Sequence, residues 1–237
     1  GLPWRHNRIG NLTMSVFQDA PAPDRAALLK VGNHVRKQLD ANPAAVRLDT
    51  DQAEIWAIGG FLNEHECAQL IAMVDRTAKP SEVLSHGEVE AWRTSSSGNV
   101  DPYDPFIQLI EERIDTLLGL PHAYGETMQG QRYEVGQEFK YHLDLFWTRA
   151  AYWKDEAKRG GQRTITAMAY LNDVEEGGDT FFTQIGLSVK PARGALLVWN
   201  NNLPNGMPNE NTMHAGTPVT KGVKYVLTKW YRSRKWG

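Results

Sequence analysis

The residues of this chain whose types and spacing can do the most chemistry are His142, Asp144 and His214. Two imidazoles and one carboxylate can hold three facial positions of a non-haem Fe(II), leaving three open for an organic cosubstrate and dioxygen. In an extended strand, side chains two apart share a face, so His142 and Asp144 can point at one ion while Tyr141 and Leu143 face the other way. Alone, a His-x-Asp is as readily a polar pair on an edge strand, and His86-Gly87-Glu88 has a similar spelling in a polar stretch without strand alternation. His214 adds weight because it follows a long Asn/Pro-rich loop, residues 200–211, and precedes a strand pattern, a position from which a third ligand can close the site. Lys224 opens the run Lys224-Tyr225-Val226-Leu227-Thr228-Lys229-Trp230-Tyr231. If that strand lines the same pocket, its ammonium can meet the distal carboxylate of the cosubstrate as a point charge.

Elements able to position these groups are legible in the periodicity. Residues 1 to about 23 lack a clear period and read as an arm that docks on the body or stays disordered. After Asp24, a candidate N-cap, apolar residues at Leu28, Val31, Val35 and Leu39 predict a helix stopping before Asn42-Pro43. Asn63 and Glu66 spell a variant capping box for a second helix with Cys67, Leu70, Ile71 and Val74 inward. A third starts near Asp104-Pro105, carries Phe106, Ile107, Ile110, Ile114 and Leu117, and ends at Gly119. The second half turns to short β-favouring runs at 130–145, 163–171, 186–189, 194–199 and 223–231. Helices leading into such strands predict a β sandwich or barrel supported by helices on one face.

Composition narrows the function class. The chain of 237 residues, 41% hydrophobic, is long enough for one substantial core. A formal charge of −2 gives no global basic field for nucleic acid or anionic membrane, and the basic tail Lys229, Arg232, Arg234 and Lys235 reads as a solvated strand end. Cys67 is the single cysteine, which excludes an intramolecular disulfide and Cys-rich zinc or iron–sulfur sites. No apolar run reaches membrane-spanning length and no signal peptide is evident, so the expected location is cytoplasmic, with neither nucleic acid nor membrane as partner.

Read together, the motifs resemble a family. The run Arg132-Tyr133-Glu134-x-Gly136-Gln137, then His142-x-Asp144, then Gly161-Gln162-Arg163 and Tyr170-Leu171-Asn172-Asp173-Val174-Glu175-Glu176-Gly177-Gly178-Asp179-Thr180 is similar to the catalytic domain of prolyl 4-hydroxylases. So are Pro191-x-x-Gly194 and His214-Ala215-Gly216-x-Pro218-Val219-x-x-Gly222-x-Lys224. The resemblance covers about residues 90 to 235. It implies an α+β chain with a mainly β core, a double-stranded β-helix (jelly-roll, cupin-like) barrel with N-terminal helices on one face. Residues 1–50 would be an N-terminal arm and helix outside the match, and residues 51–237 the dioxygenase domain.

The resemblance further implies Fe(II) held by His142, Asp144 and His214, and 2-oxoglutarate chelating the iron with its far carboxylate on Lys224. Tyr133 would hydrogen-bond the cosubstrate, with Thr180 and Trp230 near the pocket wall. Dioxygen would be consumed, succinate and CO2 released, and an unactivated C–H bond hydroxylated. The need for ascorbate to rescue oxidised iron stays open. Arg93, Ser95, Glu126 and Arg163 match the positions that grip peptide in peptidyl members, which favours a prolyl residue of a peptide or protein as substrate. A free amino acid or small metabolite under the same chemistry is the alternative. An inactive jelly-roll binding module and a Zn(II) hydrolase are the competing classes, the latter offering no role for Lys224. The segment 146–159, rich in aromatics, fits either a substrate lid or a short inward-packing helix. Oligomeric state is not legible.

Overall fold

The computed structural model describes residues 21–80 and 93–237, together with a short strand pair, Asn7–Ile9 and Leu12–Met14. The reading of the N-terminal arm falls largely outside the described residues, and His86-Gly87-Glu88 falls wholly outside them.

Three long helices form where the apolar period predicts them: α1 (Arg25–Asp40), α2 (Glu64–Thr77) and α3 (Pro105–Leu118). The Asn63 side chain accepts from the Glu66 backbone N–H and the Glu66 carboxylate answers to the Asn63 N–H, a reciprocal cap worth about 1 kcal/mol. Asp104 caps α3, and Gly119 ends it at φ +65°, where a side chain would meet strain. Asp24 departs from expectation. It precedes α1 but makes no side-chain cap, because its carboxylate accepts from the Gln162 N–H at 2.8 Å and approaches Arg234.

Most strands build two antiparallel sheets, with Glu176–Gly177 and Val219–Lys221 pairing as a separate short ladder. Across the larger, the order is Val46–Arg47, Ile55–Ile58, Leu196–Asn200, Arg163–Tyr170, Lys224–Arg232, Gln129–Tyr133, Ser96–Asn99 and Lys79–Pro80. The smaller runs Leu187–Val189, Thr180–Phe182, His214–Gly216 and Phe139–His142. Period-two alternation gives the larger sheet two buried faces. On one, Ile165, Ala167, Val198 and Leu227 pack with Val35, Leu39, Leu70, Ile107 and Ile114 of the three helices. On the other, Tyr170, Trp199 and Val226 pack with Phe182 of the smaller sheet. The site lies between the sheets on this second face.

The apolar run at 130–145 resolves into two strands broken by a turn at Gly136, φ +84°. The second ends at His142, so Asp144 sits in a bend beyond it, and Leu143 and Tyr141 do not share an environment: Leu143 is buried and Tyr141 exposed. Pairing with the His214–Gly216 strand reaches His142 opposite His214, and Asp144 lies past that pair, where the chain turns inward. The basic tail also differs from expectation. Lys229 and Arg232 are buried because each meets acids: Lys229 reaches Glu111 and Asp115, and Arg232 pairs with Glu126 and Glu156. Among the described residues no helix is long and apolar enough to cross a membrane.

Candidate active site

His142 and His214 are directly opposed partners on adjacent strands of the smaller sheet, so two residues far apart in sequence present their rings side by side, with centroids 4.2 Å apart. Each ring is oriented from behind. His142 Nδ1 lies 2.7 Å from the Lys140 carbonyl and His214 Nδ1 lies 2.8 Å from the Thr212 carbonyl. A carbonyl can only accept, so both Nδ1 atoms carry the proton and both Nε2 lone pairs are free to ligate. Phe139 stacks on His142 at 3.5 Å, while Trp199 and Phe182 hem in His214.

Both Nε2 atoms converge on one oxygen of Asp144, at 3.3 Å from His142 and 3.6 Å from His214. Adjacent corners of an octahedron with ~2.1 Å bonds are ~3.0 Å apart, so these three donors fit one six-coordinate cation with little adjustment. Among the described residues this is the one cluster of three such ligands, all donor atoms lying within 4.8 Å of one another. Burial pushes the His214 imidazole down to about 4, keeping it neutral and able to ligate at pH 7. Burial opposes ionisation of Asp144, but the adjacent imidazoles and Arg163 outweigh it and hold the carboxyl well below the usual range.

The other Asp144 oxygen is fixed by protein donors. Thr166 Oγ1 gives it a hydrogen bond at 2.7 Å and the Trp230 indole N–H another at 3.1 Å. One carboxylate oxygen is thereby spent on the protein and one left for a metal.

Lys224 lies across the same cavity, paired in register with Tyr133 on the neighbouring strand. It is 3% exposed, forms no salt bridge among the described residues, Asp179 acting on it only at longer range, and its ammonium faces the rings of Tyr133 at 5.2 Å and Tyr170 at 5.9 Å. Thr180 is held beside it by a 2.6 Å hydrogen bond to the Tyr170 hydroxyl. Desolvation, only partly offset by Asp179, pushes the Lys224 amine down to about 8. An unpaired buried cation at the end of a cavity is a receptor for an anion. Only its protonated form attracts one, and that form is lost as pH rises through about 8. For the 2-oxoglutarate that the resemblance implies, the Kd should therefore be flat below pH 7 and weaken up to about tenfold per pH unit above pH 8, a trend that titrations between pH 6.5 and 9.5 would check.

Of the remaining sequence-predicted residues, Arg93 lines this cavity, lies over the Phe139 ring at 4.8 Å and donates to Ser95 at 3.1 Å. Ser95, Glu126 and Arg163 are not part of the cavity's lining; Glu126 and Arg163 stand together beyond it, their carboxylate and guanidinium joined by two hydrogen bonds of 3.0 and 2.8 Å. Arg163 also lies between the rings of Trp230 and Phe146 and reaches the Asp144 carbonyl at 3.4 Å. Trp230 lines the cavity with its N–H turned to Asp144. The segment after Phe146 forms the short helix α4 (Trp153–Lys158), whose Glu156 is tied to Arg232. Sequence reading assigned no role to Thr166, Tyr170 or Arg232. Tyr170 stands among the quoted motif residues and Thr166 three residues after Arg163, but a cross-strand hydrogen bond leaves no trace in periodicity.

Comparison with known proteins agrees with this geometry. Residues 128–232 match the 2OG-Fe(II) oxygenase superfamily. Probable prolyl 4-hydroxylase 4 of Arabidopsis thaliana is 31% identical over 80% of this chain and 70% of its own length. Prolyl 4-hydroxylase 5 of the same plant is 35% identical over 72% of this chain and 65% of its own. A viral collagen prolyl hydroxylase from Paramecium bursaria Chlorella virus-1, solved as a 2OG complex, superimposes with a TM-score of 0.58 at 27% identity, covering 75% of this chain and 95% of that one. A Trichoplax adhaerens prolyl hydroxylase, solved with a hypoxia inducible factor peptide fragment, shares the fold with a TM-score of 0.58 at 15% identity, over 91% of this chain and 94% of its own. The neighbours place the two-sheet architecture among the jelly-roll oxygenases. With the His-Asp-His cluster intact and a buried lysine facing it, the chain belongs to the prolyl 4-hydroxylase family of 2OG-Fe(II) oxygenases, dioxygenases that use Fe(II), 2-oxoglutarate and O2.

Proposed function

We propose that this enzyme hydroxylates a prolyl residue of a peptide or protein, with His142, Asp144 and His214 holding Fe(II) and Lys224 receiving the far carboxylate of 2-oxoglutarate. The observation that carries the reading is the pairing of a three-donor cluster with a buried ammonium that no carboxylate of the described residues pairs, on one cavity. When bound, iron and cosubstrate supply the O2-dependent insertion of one oxygen atom into a C–H bond, with succinate and CO2 as coproducts. The chain's own residues restrain that chemistry. The two carbonyl-anchored imidazoles and the half-engaged carboxylate would hold the ion at the cavity wall, with the cavity left for cosubstrate and substrate. Lys224 sets the direction in which a dicarboxylate enters, and the Tyr133 hydroxyl is the neighbouring donor for it. Thr180 and Trp230 shape the wall. Met168, Val226 and Trp199 on the lining exclude water from the reacting centre.

Arg93, Ser95, Glu126 and Arg163 are assigned to the substrate side. The support is the residue types and their place: the Arg93 fork on the cavity lining and the Glu126–Arg163 pair beside Asp144, guanidinium and carboxylate groups of the kind that bind an extended peptide backbone. The names of the plant relatives and of the viral collagen prolyl hydroxylase support a prolyl substrate over a small metabolite. We assign catalysis to residues 51–237 and regard residues 1–50 as an N-terminal addition whose helix α1 packs on the same core. Ascorbate, as a reductant for oxidised iron, is part of the proposal.

The direct test is incubation of enzyme, Fe(II) and 2-oxoglutarate with proline-rich peptides and, separately, free proline. A mass gain of one oxygen on the peptides alone supports the reading; a gain on free proline alone overturns it. Arg163→Ala should raise the peptide KM by roughly 10- to 100-fold and leave peptide-independent 2-oxoglutarate turnover within a few-fold. Steady-state kinetics on both reactions separates these effects, and joint loss would move Arg163 to the cosubstrate side.

A further inference from the structure

Behind Asp144 runs a line of buried polar groups. The Trp199 indole N–H lies 2.9 Å from Asn201 Oδ1, Asn201 Nδ2 lies 2.9 Å from Thr166 Oγ1, and Thr166 Oγ1 lies 2.7 Å from Asp144 Oδ2. Trp199, Asn201 and Thr166 are each at most 1% exposed. Trp199 and Thr166 face one another across adjacent strands, and Asn201 follows at the strand end, its backbone N–H fixed to the Thr164 carbonyl.

The direction of this line is fixed by chemistry alone. An indole N–H can only donate, so Asn201 must turn its carbonyl to Trp199 and its NH2 to Thr166. Thr166 therefore accepts from Asn201, and its own hydrogen is left for Asp144, whose ionised carboxylate can only accept. The Trp230 N–H reaches the same oxygen from another strand.

We propose that Asn201 and Thr166 are positioning residues for the metal centre. The relay from Trp199 commits the Thr166 hydrogen to Asp144 Oδ2, locks the carboxylate rotamer, and leaves Oδ1 as a one-atom ligand in line with the two Nε2 atoms. This rests on the metal assignment above and adds to it a role for two residues that act through Asp144 rather than as ligands. The same arrangement accounts for why an asparagine stands at 201, since a fully buried carboxamide has no other use for its two ends.

The test is anaerobic Fe(II) affinity, measured by chelator competition on the full chain, with thermal melting as the check on folding. Thr166→Val removes the donor at constant shape and should weaken Fe(II) binding about 10- to 100-fold, while Thr166→Ser restores most of it. Asn201→Asp offers Thr166 an acceptor instead of a donor, draws its hydrogen away from Asp144, and should weaken iron to a similar degree. The double variant Thr166→Val/Asn201→Asp should then be no weaker than Thr166→Val, because both act on one bond. Wild-type affinity in folded Thr166→Val overturns the proposal, as do additive losses in the double variant. Failure of the unaltered chain to bind Fe(II) overturns the metal assignment itself, a result separable from either.

Discussion

Asp144→Asn, a change of one atom type with no change of shape, is expected to remove iron from the protein and lower turnover by at least about 10³-fold, or about 4 kcal/mol. The loss goes beyond the removal of a charge. Thr166 and Trp230 both donate to the oxygen of residue 144 that faces away from the imidazoles. An asparagine must offer its carbonyl to those two donors, which turns its NH2 toward the point where the His142 and His214 Nε2 lone pairs meet. An NH2 cannot ligate a cation, and its hydrogens point to where the iron has to be. Iron content after anaerobic reconstitution, and succinate formed per minute, are the two measurements. Retention of one iron per chain with full turnover would place the metal elsewhere.

Lys224→Met should separate function from stability. Removal of the ammonium takes away the charge assigned to the distal carboxylate, and truncation of one partner of a buried charge pair weakens binding by about 2–5 kcal/mol, roughly 30- to 5,000-fold in the Kd for 2-oxoglutarate. The ligand-free protein should gain. In the folded chain the Lys224 amine sits at about 8 against an ordinary 10.5, because burial disfavours its charged form. Between those two values the unfolded chain binds more protons, so stability rises with pH across that window, and below pH 8 the penalty is fully present. Its removal is worth on the order of 1–3 kcal/mol at pH 7, about 2–12 °C in Tm for a chain of this size. The variant should also lose the rise in stability between pH 8 and 10.5. A lower Tm than wild type, or unaltered 2-oxoglutarate affinity, would show that the lysine is a packing residue.

Much of this was legible in the sequence, for physical reasons. The helices could be read because their signals are local: a capping box at Asn63 and Glu66, an N1 proline at Pro105, and a left-handed glycine at Gly119 each act within a few residues. His142, Asp144, His214 and Lys224 could be read because their chemical types are unusual in company, and the structure brings all four to one cavity.

What could not be read depends on partners distant in the chain. The strand through His142 stops where its pairing with His214 stops, so alternation does not extend to Asp144. Ile55–Ile58, Ser96–Asn99, Thr180–Phe182 and His214–Gly216 are strands of two to four pairs whose neighbours define them. Lys229 and Arg232 look like a solvated tail until Glu111, Asp115, Glu126 and Glu156 arrive from other elements to pair with them. Asn201 looks like one more loop asparagine until Trp199 and Thr166 are placed on either side of its carboxamide.

The central claim is that one ferrous ion and one dicarboxylate are held together between the two sheets. Anaerobic titration of the Fe(II)-loaded protein with 2-oxoglutarate tests it most directly. A weak metal-to-ligand charge-transfer band should grow to a stoichiometric end point in the wild type and be absent at matched concentrations in Lys224→Met. A folded, iron-loaded wild type that develops no such band, or a Lys224→Met variant that develops it at the wild-type concentration, would contradict the account.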